Sequence, residues 1–181
     1  KGLDIDKELA LEACVNSSNV DYFDGTGEYK KYGYVPLERS SSAASITLEY
    51  SYDDWTIHEL ANRLNKIEIS QEYARRALNY RNIFDPSLHF ARPRLKDGTF
   101  KEDFDLLDTH GQGFIEGNSW NYSFFVPHDV NGLINEMGGE KQFVRRLDSL
   151  FTMHLPAKYF EKTEDINEEG LMGNYVHGNE P

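Results

Sequence analysis

Glu116 stands in the run Phe114–Asp129, FIEGNSWNYSFFVPHD, beside a Gly-Asn pair and in front of the rings of Trp120, Tyr122, Phe124 and Phe125. A carboxylate against apolar rings is costly unless it is hydrogen-bonded, paired or protonated. A carboxyl that keeps its proton at neutral pH is what general acid catalysis requires. The residue types therefore leave two readings open, a proton donor or a solvated loop residue at the edge of a core helix.

Three more polar clusters accompany it: Glu49, Asp53 and Asp54 in LEYSYDDW, the pair His128–Asp129, and His177-Gly178-Asn179-Glu180. Cleavage of a glycosidic bond generally uses one protonated carboxyl and one carboxylate on the opposite side of the sugar. Aromatic rings suit the apolar faces of sugars, while Asn, His and Glu suit their hydroxyls. Oxygen donors without a thiol favour calcium over softer metals. The inventory fits a carbohydrate site. Each cluster also has a structural reading: Trp120, Phe124 and Phe125 as core, Asp53 and Asp54 as braces for loop backbone, and His128–Asp129 as the cap of the following helix. Only the Gly-flanked His177–Glu180 favours a functional role over a structural one.

Other chemistries find no support. There is no His-Glu-x-x-His, cysteine pair, G-x-S-x-G or phosphate-binding glycine loop. The single cysteine, Cys14, excludes an internal disulfide, and the helical spacing predicts it as a small core residue. Acidic residues outnumber basic ones 31 to 19 in 181 residues, for a formal charge of −12. Basic residues occur as isolated pairs such as Arg75-Arg76 and Arg145-Arg146. That balance argues against nucleic acid or an anionic membrane surface, both of which reward clustered positive charge. No apolar run approaches the roughly 20 residues that cross a bilayer. The chain opens on Lys1 and is expected to be an excerpt of a longer one.

The elements that must position these residues are mainly helical. Ile5, Leu9, Ala13 and Cys14 share one face of a first helix. Ser42–Leu64 carries Ile46, Tyr50, Ile57, Leu60, Ala61 and Leu64 at helical spacing, and Ser70 is the expected cap of the next helix. The short connector at Lys66–Ile69 predicts an antiparallel helical hairpin. From Asp85 to Gly113 the period vanishes, and Lys96-Asp97-Gly98 signals a turn within a hairpin or an irregular lid. Val130, Leu133, Ile134 and Met137 form an amphipathic set closed by Gly138-Gly139, and Glu140–Phe151 follows as its partner. Residues 1–181 read as one segment, an all-α arrangement of helix pairs with long functional loops that suggests part of an α/α toroid.

The ordered motifs GYVP (Gly33–Pro36), TLEYSYDDW (Thr47–Trp55), EGNSWNYSFFVPHD (Glu116–Asp129), GLINEMGG (Gly132–Gly139), LDSLF (Leu147–Phe151) and YVHGNEP (Tyr175–Pro181) span nearly the whole chain. Together they resemble glycoside hydrolase family 92, exo-acting α-mannosidases often labelled α-1,2. The resemblance implies a slice of an (α/α)6 toroid, with the N-terminal β-sandwich and the remainder of the toroid outside this chain. It implies calcium-dependent, inverting hydrolysis of a mannose-containing glycan by a periplasmic or secreted bacterial protein. Glu116 is then the general acid. Trp120, His177 and Glu180 are the implied sugar contacts, and Asn121, Asn179 and Glu180 the implied neighbourhood of Ca2+. Asn121 stands where many members have Gln, and Gly178 offers no side chain beside His177, so linkage stays open.

The family's catalytic base is expected beyond Pro181, and the chain alone is expected not to hydrolyse mannosides. Helix faces meant for absent neighbours predict docking to the rest of the parent chain or self-association. Two other readings remain at this stage. One is a non-catalytic carbohydrate-binding or scaffold protein with a toroid fold. The other is a polysaccharide lyase, which the lack of a basic cluster disfavours.

Overall fold

A computed structural model describes residues 5–159 and Tyr175. Among them, helices α1 (Lys7–Ser17), α2 (Thr26–Tyr32), α3 (Ala43–Arg63) and α4 (Ile67–Arg76) precede a 3-10 turn at Asn79–Ile83. A short antiparallel ladder follows, β1 (Phe84–Asp85) with β2 (Phe90–Ala91), pairing Phe84 with Ala91 and Asp85 with Phe90. Then come α5 (Ser119–Tyr122), α6 (Val130–Glu136), α7 (Glu140–Thr152) and a 3-10 turn at Ala157–Tyr159. The mainly helical architecture, with helix pairs separated by a long irregular stretch, agrees with the expected slice of a toroid.

The 21-residue α3 organises the molecule. Its buried stripe runs through Ala44, Leu48, Ser51, Asp54, Ile57 and Ala61 at three- and four-residue steps, while Ile46, Tyr50, Leu60 and Leu64 are only half-buried. The central stripe is thus built largely of small and polar side chains, which an apolar-periodicity reading passes over. α4 folds back along α3 through a tight connection in which Asn65 takes φ 56°, a left-handed conformation Asn tolerates. Two expectations fail here. Ser70 does not cap α4, which already starts at Ile67; it lies inside the helix, buried, with its Oγ 3.0 Å from Nδ1 of His58. Cys14 is exposed, as are Ile5 and Leu9, because α1 turns Leu11 and Val15 toward Ile57, Ala61 and Tyr73 instead. The Tyr73 hydroxyl fixes that roll, donating to Ser18 Oγ at 2.5 Å, whose own hydrogen goes to Val15 O, and accepting from Asn19 Nδ2 at 3.0 Å.

The larger core gathers Leu48, Tyr80, Phe84, Phe114, Val126 and Met137. The expected turn at Lys96-Asp97-Gly98 is present: Leu95 N–H reaches Thr99 O at 2.8 Å, and Arg94 pairs with Phe100. The α6–α7 pair forms as expected around Gly138 and Gly139, both at positive φ. Asp129 caps α6 by accepting from Gly132 N at 2.9 Å, and its other oxygen takes Tyr80 Oη and Arg81 Nη2 at 2.8 Å each.

Gly132 is buried inside this knot, where an added Cβ would collide with Asp129 Oδ2 and Tyr80 Oη. Alanine gains up to about 1 kcal/mol of helix propensity. Overlap and a displaced cap cost more, so Gly132→Ala should lose a net of about 1–3 kcal/mol. Urea melts check this through a lower midpoint at unchanged slope.

Candidate active site

The turn bearing Glu116 is held from both ends. On the N-terminal side, the carbonyl of Gly113 accepts from Ala44 N at 2.9 Å and Ser45 N at 3.4 Å, satisfying first-turn donors of α3. Ser45 Oγ accepts from Ile115 N at 3.1 Å. On the C-terminal side, Asn118 and Asn121 cap α5 reciprocally: Asn118 Oδ1 takes Asn121 N at 3.2 Å, and Asn121 Oδ1 takes Asn118 N at 2.9 Å. Asn118 also donates to Leu107 O at 3.1 Å. At the first residue of α5 and at the C-cap just past its end, Ser119 gives its hydroxyl hydrogen to Ala91 O at 2.5 Å and Ser123 Oγ accepts from Ala91 N at 2.8 Å, locking the helix onto β2. Glu116, exposed between these anchors, adopts φ 51°. A non-glycine residue there costs on the order of 1–2 kcal/mol, which the fixed flanks must sustain.

Gly117 has no room for a side chain: a Cβ would lie 2.9 Å from Tyr122 Cε2 and 3.0 Å from Asn121 Oδ1. The Tyr122 ring thus lies against the backbone next to Glu116, with Phe114 on it at 5.6 Å between centroids. Burial raises the Tyr122 pKa, a hydrogen bond from Ser45 works against that, and the charges of Glu49 and Glu116 add to the rise. Glu49 and Asp53 are exposed as residues, yet the protein around their carboxyls desolvates them enough to raise both, and the charge of Asp53 further raises Glu49. Ser45, Glu49 and Asp53 follow one another at four-residue steps, so one face of α3 carries the brace and two carboxylates.

The remaining sequence candidates fall as follows. Asp54 is 2% exposed and bonds Tyr29 and Arg76, a structural role as expected, though through side chains and not loop backbone. His128 bonds Ala77 O at 2.9 Å and packs on Tyr80, and burial lowers its pKa. Trp120 lies on Phe90 at 4.6 Å, with its indole N–H 3.4 Å from Arg146 O. His177, Asn179 and Glu180 lie outside the described residues. Ser45 and Tyr122 support the turn without having been singled out as site residues; the four-residue step from Ser45 to Glu49, itself in one of the polar clusters, was the available signal.

Asn121 brings an amide oxygen, a donor suited to a hard cation, and its bond to Asn118 uses one of two lone pairs. The donor type fits calcium, but among the described residues no group of three His, Cys, Asp or Glu side chains assembles to hold a metal. Away from Glu116, a cleft of about 470 Å3 opens between α1, α2 and α3, walled by Tyr22, Phe23, Tyr50 and Asp53. No described helix is long and apolar enough to cross a membrane.

The chain as a whole is similar to several known proteins. The glycosyl hydrolase family 92 catalytic domain matches residues 1–181. The family GH92 alpha-mannosidase BT3965 from Bacteroides thetaiotaomicron, in complex with mannoimidazole, superposes at a TM-score of 0.86 and 35% identity, over 98% of this chain and 24% of that one. The family GH92 inverting mannosidase BT2199 from the same organism gives 0.82 and 35%, over 98% and 26%. An uncharacterized secreted glycosidase of Arthroderma benhamiae is 31% identical over 183 residues, 81% of this chain and 24% of that protein. The chain spans about a quarter of the length of these relatives.

Proposed function

Because the chain belongs to glycosyl hydrolase family 92, we propose that it supplies the proton-donating part of an exo-acting, inverting α-mannosidase site, with Glu116 as general acid. The observation that carries this reading is the anchored turn. Glu116 is exposed at a left-handed position between a residue tied to α3 and a reciprocally capped helix, so its carboxyl is presented from a fixed base. Relatives described as alpha-mannosidase and inverting mannosidase support the substrate and stereochemistry.

Glu116 protonates the departing glycosidic oxygen of a terminal α-mannosyl residue as the bond to the anomeric carbon breaks. A water on the opposite face attacks that carbon, activated by a second carboxylate about 6.5–9.5 Å from the first. No residue of this chain is assigned that second role, so the isolated chain should not turn over mannosides. Trp120, His177 and Glu180 are the proposed sugar contacts. Asn121, Asn179 and Glu180 would hold Ca2+, which when bound offers a hard positive charge to sugar hydroxyls. Export from the cell is proposed by analogy with the secreted relative.

The test uses the complete enzyme carrying this chain. Terminal α-mannosides, α-1,2-linked ones included, should be hydrolysed with β-mannose as the first product by NMR. A chelator should lower the rate, added calcium should restore it, and calorimetry should detect calcium binding to the chelated protein. Mannoside binding without turnover, or α-mannose as first product, would overturn the proposal.

A further inference from the structure

We propose that Ser45 is a positioning residue for Glu116, acting through a single hydrogen bond to the backbone of the residue before it. This rests on the acid role given to Glu116 above. Ser45 is 1% exposed in the first turn of α3, and its Oγ accepts from Ile115 N at 3.1 Å. Seventy positions separate the two partners, so the bond ties the turn that carries the acid to a 21-residue helix built from another part of the chain.

Ile115 and Glu116 are two exposed residues between two buried pairs, Gly113-Phe114 and Gly117-Asn118. The C-terminal pair has little freedom: Gly117 has no space for a Cβ, and Asn118 N is bonded by Asn121 Oδ1 at 2.9 Å. On the N-terminal side, Gly113 is pressed against the Pro93 ring and its carbonyl receives Ala44 N and Ser45 N, but that hold acts beyond Phe114. The Ser45 hydroxyl carries it forward to the residue adjoining the acid. Glu116 needs it, because φ 51° is a conformation that a non-glycine residue leaves when its neighbours allow. Without the Ser45 oxygen, Ile115 N–H regains a partner only by turning toward water, and Glu116 is free to relax. Relaxation about φ swings the side chain, and misplacing a catalytic group by about 1 Å can cost on the order of a hundredfold in rate.

The test compares Ser45→Ala with Ser45→Thr, which keeps a hydroxyl, in the complete enzyme, with Glu116→Gln and the Ser45→Ala/Glu116→Gln double variant in parallel. Each is assayed on methyl α-mannoside and on 2,4-dinitrophenyl α-mannoside. Proton donation matters for the first leaving group and little for the second, and the ratio of the two kcat values is unaffected by any loss of folded enzyme. That ratio should fall about tenfold in Ser45→Ala and less than about threefold in Ser45→Thr, with KM changed by less than about threefold. In the double variant it should fall no further than in Glu116→Gln, because a residue acting through the acid has nothing left to act on. An unchanged ratio in Ser45→Ala, an equal fall in both Ser45 variants, a rise in KM alone, or a further fall in the double variant would overturn the positioning role. If Glu116→Gln itself shows no selective loss on the methyl glycoside, the acid assignment fails and takes this proposal with it. A selective loss in Glu116→Gln with none in Ser45→Ala refutes the positioning alone.

Discussion

Glu116→Gln in the complete enzyme is expected to lower kcat on unactivated α-mannosides by about 10²–10⁴-fold while KM changes little. Glutamine is nearly isosteric, so the substitution removes a transferable proton and little else. The anchors of the turn, at Gly113, Ser45, Asn118 and Asn121, do not involve the Glu116 carboxyl. An interaction made only as the leaving oxygen gathers charge lowers kcat and kcat/KM together, which separates proton donation from ground-state sugar binding. A nitrophenyl mannoside, whose leaving group departs without a proton, should lose far less. Unchanged kcat on methyl α-mannoside would remove Glu116 from the acid role. Loss confined to KM would make it a binding residue.

The sequence carried the large helices and missed how some of them face. Long apolar periods placed α3, α6 and α7 to within a residue or two, because burial of one stripe is what stabilises such helices. α1 misled because it holds two weak apolar faces, and the choice between them is made by Tyr73, more than fifty residues later, through Ser18 and Asn19. Ser70 looked like a cap because serine is a good one, yet its hydroxyl serves His58 across the helix pair. Asp129 needed no tertiary information, since a cap bonds its own helix.

The candidate site divides along the same line. Glu116 was legible through its motif, and the Asn118–Asn121 capping box is a local device of the kind sequence spacing can carry. The brace was not legible, because Ser45 and Ile115 are 70 positions apart and meet only when the loop returns to the start of α3. Trp120 packs on Phe90 and gives its indole N–H to the backbone of α7, while the ring against the backbone next to Glu116 is that of Tyr122. On a four-residue helix, a shift of two positions changes the face presented.

Arg76→Ala should destabilise the fold by about 3–5 kcal/mol, and by more at pH 8 than at pH 5. Asp54 is almost wholly enclosed; Arg76 Nη2 stands 2.9 Å from its Oδ1, with Arg76 Nε and Tyr29 Oη at 3.1 and 2.8 Å from Oδ2. Burial pushes the Asp54 carboxyl up to about 6 despite Arg76 and Tyr29, against about 3.9 in an unfolded chain. Between roughly pH 4 and 6 the native state therefore binds more protons than the unfolded state, so this group's contribution is fully present below about pH 4 and is lost as pH rises through 6. Asp85 has the opposite sign. Burial works to raise it, but Ser87 and Arg92 outweigh that and hold it low, so its contribution is present above the unfolded value and lost on acidification. Without Arg76, an ionised Asp54 has lost its cation and the Tyr73 ring its guanidinium at 4.5 Å, which steepens the decline above pH 6. Replacing both charges together, Asp54→Leu with Arg76→Met, should recover much of the loss, because no buried charge is then left unpaired. Urea melts at the two pH values decide it. A single-variant cost below about 1 kcal/mol, or one equal at pH 5 and pH 8, would show that the pair is not the buried, desolvated bridge the geometry describes.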